Sequence, residues 1–528
     1  MKNMGVLYMM HLVPKKMRRF RGIDIIRQGF LFLLALLIVI IFSNSVAAQS
    51  DIDSLIAAGK FTQAERAIRS QLEIVRSMTP ARKLELHELL NNIQSVSGQF
   101  NVSYHEMYGE LKKLIPDLQA EDISRWEKDY TLEFIQIDGQ KRYFYAWKSN
   151  LLRLNDEARK RAGKEEPHPR SDSLIREVIE AARESSTPLV CPRSIRISLS
   201  YFEDVSTVPD GEVLRAWLPI ARQNRFQDNI EILKLTADKY LSPQPSQKAA
   251  AVYFEFIVNK ANMDNADWAA YFSNPDDSWI KPLRNASLPI TDSNSLFTKD
   301  HHIHQIIFCY RAFGLYQEID LDSVQFQIDP KIEPYIQQSH NPYLVNLAQE
   351  IVGQEANPYL QAQKIYEWIC RNITWTEPFF NPLRYDCPAE QAARLLRGDC
   401  GAKSDLFIEL CRIKGIPARS QGGWSVKPDR QHSQHTWAQM YFAPYGWLPV
   451  DPTAGSHFID HPDSNVRFFH FGNCLPYRLV IYDDESQLFP LQINPQTLDG
   501  GRQLGSFEWR GGVIETNLKI DSDVSMLP

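Results

Sequence analysis

Cysteine is scarce: seven in 528 residues, at positions 191, 309, 370, 387, 400, 411 and 474, with no CxxC pair and no zinc-ligand spacing. That excludes a disulfide scaffold and a cysteine-held structural metal. Charge of one sign is lacking too. The net charge is −6, and no basic stripe follows the first 30 residues, so the electrostatic footprint that nucleic acid or anionic lipid requires is missing. No apolar run of spanning length follows Phe42, and no DxDxDG run of an EF-hand loop is present. No cofactor and no metal is therefore expected. What remains is an ordinary globular balance, 44% apolar and 23% charged, in a chain long enough for three or more domains.

The first 48 residues have the layout of a signal peptide. Lys15, Lys16, Arg18, Arg19, Arg21 and Arg27 precede an apolar run of 13, Phe30 to Phe42, and the small residues Val46 and Ala48 stand ahead of Gln49. The run falls short of the ~20 residues that span a bilayer. An uncleaved N-terminal anchor is the alternative. The expectation is an exported protein, periplasmic or secreted, with no membrane segment after cleavage. An odd cysteine count in an oxidising compartment leaves at least one thiol free. The six besides Cys400 allow up to three bridges, and fewer are expected because Cys411 falls on the buried face of a predicted helix.

Residues 49–190 read as mainly helical with one β-hairpin. Leu55 to Leu72 has the spacing of a helical hairpin around Gly59, of tetratricopeptide type or an ordinary amphipathic pair. LEFIQI and KRYFYAW flank Asp138-Gly139, a strong hairpin signal. These helices offer a surface for a protein partner. Residues 191–330 are β-rich: SIRISLSYF puts Ile195, Ile197, Leu199 and Tyr201 on one face, and EVLRAWLPI, NIEILKL, AVYFEFIV and QIIFCYRAF follow. A β-sandwich is the simplest account. The DHHIH run, Asp300 to His304, is read as a polar loop leading into a strand rather than metal ligands, because convergent partners at a defined spacing are missing. Helices return in 331–485, with Asn357-Pro358 and Pro388 as starts, and 486–528 is left as a C-terminal extension.

The chemistry concentrates in RGDCGAKSDLFIELCRIKGIPAR, Arg397 to Arg419. Gly398 permits a sharp turn and Asp399 is a good N-cap. Leu406, Phe407, Leu410 and Cys411 recur at helical spacing, and Lys414-Gly415 ends the helix. Cys400 then sits in the first turn of a buried helix, where free N–H groups and the helix dipole favour a thiolate and can stabilise an oxyanion. HTWAQMYF and GWLPVD follow as two strands around Pro444-Tyr445-Gly446. His435 and Asp451 share a face only if the number of unpaired loop residues is odd, such as three or five. In that register the carboxylate orients the imidazole toward Cys400. His432 is a weaker base candidate in the polar run before the strand. His457 and His461 read as loop residues, and Trp424, Trp437 and Tyr385 either line the cleft or belong to the core.

GDCGAKSDLFIELCRIKGIPAR followed by HTWAQMYFAPYGWLPVDPT resembles the core of the transglutaminase-like superfamily over roughly Asn341 to Leu479. FGNCLPYRLV, Phe471 to Val480, is similar to a segment that often follows it. The resemblance places the family's cysteine on Cys400, its histidine on His435 and its aspartate on Asp451. It implies an α+β multidomain protein: a helical N-terminal region, a β-sandwich-like middle domain and a transglutaminase-like α+β core of the papain-like cysteine protease type. It also implies cysteine-dependent acyl transfer on a peptide or protein amide. Hydrolysis is favoured; glutamine cross-linking and a non-catalytic scaffold using the helices are the alternatives.

Overall fold

A computed structural model describes residues 51–74, 79–165, 170–235, 244–246, 251–258, 301–324, 331–336, 340–429, 431–484, 503–514 and 518–527. The predicted signal peptide lies outside them. The chain divides into two compact units between Tyr145 and Ala146.

In the first unit, residues 51–57 and Phe61–Ile74 form the expected helical hairpin, and helices Pro80–Gln99, Tyr104–Leu114 and Ala120–Lys128 follow. Gly59 stands at their turn with φ +68°. A Cβ there would meet the Gln136 carbonyl at 2.5 Å, so the close approach to the strand demands glycine. That strand, Phe134–Ile137, pairs with Gln140–Tyr143 across Asp138-Gly139, both at positive φ as a two-residue hairpin turn requires. The Asp138 carboxylate accepts from the Thr62 backbone N–H at 3.1 Å, tying the turn to the start of a helix.

The second unit contains the sandwich. One antiparallel sheet orders Leu518–Leu527, Leu189–Asp204, His301–Leu315 and Gln227–Leu235. The other runs through Gly512–Val513, Ser506–Trp509, Val213–Pro219, Ala251–Ile257 and Gln244–Ser246. Ile195, Ile197, Leu199 and Tyr201 are buried on one face, as their alternation predicts, and pack with Leu214, Ala216, Phe254 and Phe308 of the two sheets. The described parts of 486–528 are not a separate extension. They supply strands to both sheets, pairing with 189–204 and 213–219. His301–His304 begin a strand rather than a loop, because they continue the pairing with Tyr201–Asp204; Asp300 lies outside the described residues. His304 is buried against Phe254 and Phe256, with its pKa pushed down to about 3 by burial.

The site rests on a four-stranded antiparallel sheet ordered Gly446–Val450, His432–Phe442, Ala418–Val426 and Arg478–Asp483. Helices Pro342–Val352, Pro358–Asn372, Pro388–Leu395 and Cys400–Ile413 pack with it. Asn357 caps its helix as expected, accepting from Tyr359 N at 2.9 Å. Leu406, Phe407, Leu410 and Cys411 are fully buried, so the Cys400 helix is held along its length. All seven cysteines are free thiols. The bridges allowed for do not form; Cys191 meets the Glu177 carbonyl and Cys370 the Pro452 carbonyl.

Candidate active site

Cys400 is the first residue of its helix, and Asp399 Oδ1 accepts from Ala402 N at 2.9 Å. Gly398 is needed for space rather than for a turn: it pairs in parallel with Trp375, and a Cβ would stand 2.8 Å from that of Ala402. Ser404 Oγ lies 2.7 Å from the Cys400 carbonyl and 3.2 Å from that of Thr436, joining the cysteine helix to the histidine strand. Asp399→Ala is expected to destabilise the protein by about 1 kcal/mol, the usual worth of an N-cap. Urea unfolding would test it, and an unchanged midpoint would show that packing alone holds this end.

Strands His432–Phe442 and Gly446–Val450 are joined by three residues, 443–445, with Phe442 opposite Gly446 and Ala438 opposite Val450. The odd loop puts His435 and Asp451 on one face. His435 Nε2 and Asp451 Oδ2 are 2.8 Å apart. Cys400 lines the same cleft and favours the protonated ring. Burial alone would lower the His435 pKa. The Asp451 charge and hydrogen bond, with the contribution of Cys400, outweigh it and push the value up to about 10. Burial opposes ionisation of Asp451 as well, but His435 and Arg478 hold its carboxyl well below the usual range.

Asp451 is the best-connected group in the site. Its Oδ1 accepts from Ala454 N at 2.9 Å, capping the short helix Pro452–Gly455, and Oδ2 accepts from Arg478 Nη2 at 2.6 Å as well as from His435. Arg478 lies over the Trp437 ring at 4.5 Å, and Trp437 Nε1 donates to Gln421 Oε1 at 2.8 Å. Trp424, Trp437 and Tyr385 are all buried, the core role of the two considered. His432 begins the strand instead of preceding it. It stacks on Trp424 and meets Ser522 Oγ at 2.7 Å, so it is structural.

A cleft of about 1060 Å³ opens over these groups, lined by Cys400, His435 and Asp451 together with Lys403, His457 and His470. His457, in the turn after Pro452–Gly455, is a loop residue as expected and also lines the cleft, while His461 faces Asp172 at 3.4 Å. Lys403 is 1% exposed and donates to Ser456 Oγ at 2.7 Å. Burial lowers its pKa, opposed by Cys370, Asp451 and Cys400. Burial also brings His457 down to about 4, with Arg170 and Lys403 adding to the effect, and His470 to about 3. Both rings are neutral near pH 7. Arg478 and Lys403 were not foreseen from sequence: a lone arginine on a strand and a lysine in a first helical turn ordinarily face water.

Residues 345–452 match the model of the transglutaminase-like superfamily. A Haemophilus influenzae protein described as uncharacterised is 24% identical over 153 residues, covering 24% of this chain and 41% of its own, so the match spans about two fifths of that relative. Among solved structures, a candidate cysteine protease from Cytophaga hutchinsonii aligns with a TM-score of 0.38 at 13% identity, over 64% of this chain and 99% of that one. The periplasmic domain of TgpA from Pseudomonas aeruginosa aligns with a TM-score of 0.26 at 14% identity, over 55% of this chain and 95% of that one. Among the described residues no helix is long and apolar enough to cross a membrane.

Proposed function

We propose that the transglutaminase-like domain at residues 345–452 is a cysteine acyl-transfer centre that hydrolyses peptide or amide bonds in an exported protein. The observation that carries this reading is His435, hydrogen-bonded to Asp451 and lining one cleft with Cys400. Each partner has one task in that order. Asp451 fixes the ring and favours its protonated form. The imidazolium stands beside the sulfur and supplies the proton to the departing amine. Cys400 attacks the amide carbonyl, the tetrahedral oxyanion forms at the helix N-terminus, and collapse leaves a thioester. Water then releases the acid, and a primary amine in its place would give transfer. Export rests on the basic and apolar layout of residues 1–48.

The test is iodoacetamide labelling of the mature chain as a function of pH, with the labelled site located by peptide mapping. Cys400 is expected to react faster than the six other thiols across the pH range. His435→Ala should slow the reaction, and Cys400→Ala should remove it. Slow labelling spread over several cysteines in every variant would overturn the reading. With peptide amides, release of acid in the presence of added primary amine separates hydrolysis from transfer.

A further inference from the structure

The charge lining the cleft is unbalanced. Among the described residues, Arg153, Arg170, Arg371, Lys403, Lys427 and Arg478 border it, against two carboxylates, Asp429 and Asp451. Asp451 is consumed by His435 and Arg478, and Arg371 is paired outside the cleft with Glu367 and Asp460. Arg153, Arg170 and Lys427 are exposed, and among the described residues none has a carboxylate within ion-pair distance. A catalytic cleft with spare cations and neutral histidines attracts anions.

One of these cations is held in a fixed place on the cleft wall. The Arg153 guanidinium lies 4.3 Å from the centre of the Trp375 ring, and its Nε donates to Ser149 Oγ at 3.4 Å. Trp375 pairs through its backbone with Gly398, two residues before Cys400. A guanidinium stacked on an aromatic face keeps its edge free for a bidentate contact with a planar anion, and an arginine so fixed loses little entropy on binding.

We propose that Arg153, seated on Trp375 and assisted by Arg170, forms a carboxylate-binding subsite in the Cys400 cleft, so that the preferred substrate is a peptide carrying a carboxylate close to the scissile amide. This rests on the acyl-transfer reading of the same cleft. The carboxylate has two sources, the α-carboxylate of a chain end or an acidic side chain within the peptide. Lys403, buried beneath the cleft, adds to the positive field without touching solvent.

The experiment is protection of Cys400 from iodoacetamide by short acetylated peptides, in wild type and in Arg153→Met, with Arg153→Lys as a charge-preserving companion. Arg153 is exposed, so its removal spares the core. In wild type a peptide acid should protect about tenfold better than the matching peptide amide, a difference of the size a charge-assisted contact gives. The advantage should disappear in Arg153→Met and persist in part in Arg153→Lys. A glutamyl peptide amide that protects as well as the acid would identify a side-chain carboxylate; failure of that peptide alone would identify a chain end. Equal protection by acids and amides in wild type, or an advantage untouched in Arg153→Met, overturns the subsite. Rapid labelling of Cys400 in those same samples keeps the acyl-transfer reading standing, whereas its absence removes that reading whatever the peptides do.

Discussion

Asp451→Asn should lower kcat/KM by on the order of 10²-fold or more and move the alkaline limb of the pH profile to lower pH. The side chain keeps its shape, so the loss comes from charge and from hydrogen-bond polarity. The carboxylate now accepts on both oxygens: from Ala454 N on one, and from His435 and Arg478 on the other. An amide offers one acceptor. Whichever way it turns, an NH₂ group faces a donor, and the attraction that holds His435 protonated is gone.

The direction of the pH effect follows from the His435 value of about 10, above its ordinary 6.5. A raised folded-state pKa stabilises the fold fully below the ordinary value, and that contribution is lost as pH rises through about 10. His435 therefore stays protonated into the alkaline range in the wild type. With Asp451 neutralised, the remaining influences are burial, which lowers the value, and Cys400, which raises it less. The measurement is kcat/KM, or the Cys400 alkylation rate, from pH 5 to 11. An alkaline limb that stays in place would mean that Cys400, not Asp451, sets the protonation of His435.

How much of this was readable in advance divides by range along the chain. The cysteine at a capped helix start, the histidine on a hairpin strand with the aspartate just past the end of its partner, and the Asp138-Gly139 turn each depend on neighbours a few residues away, where capping and alternation decide the outcome. The three-residue loop 443–445 is why the His435–Asp451 pairing could be reduced to a parity argument. Arg478 reaches Asp451 from 27 residues further on, from a strand whose sheet neighbour is Ala418–Val426. Strands Ser506–Trp509 and Leu518–Leu527 join partners near 215 and 200, with the whole transglutaminase-like region between them in the sequence. Their alternation marks a strand but names no partner, since register is set by the sheet they complete. Lys403 failed for another reason. Its spacing from Cys400 looks like an exposed first turn, and only the packing of Pro452–Gly455 and Ser456 over the helix buries it.

Arg478→Met is expected to destabilise the protein by about 3 kcal/mol, the lower end of what removing one partner of a buried ion pair costs, because His435 still compensates Asp451. Arg478 is 11% exposed at its side chain and Asp451 2%, so water cannot replace the lost contact. Methionine retains most of the packing over Trp437, which separates the loss of charge from the opening of a cavity. The acid limb supplies the specific signature. A depressed carboxylate contributes stability above its ordinary pKa near 3.8, and loses it as pH falls through the folded value. Removing Arg478 raises that folded value, so acid unfolding should begin at higher pH than in wild type. Urea unfolding at pH 7, pH 4 and pH 2 would measure both effects. The full loss is expected at pH 7 and at pH 4, and a smaller one at pH 2, because the difference between wild type and variant shrinks only as pH falls through the raised folded value of the variant. A loss that stays equal at all three would show that Arg478 acts by packing on Trp437 and leaves the charge of Asp451 to His435 alone.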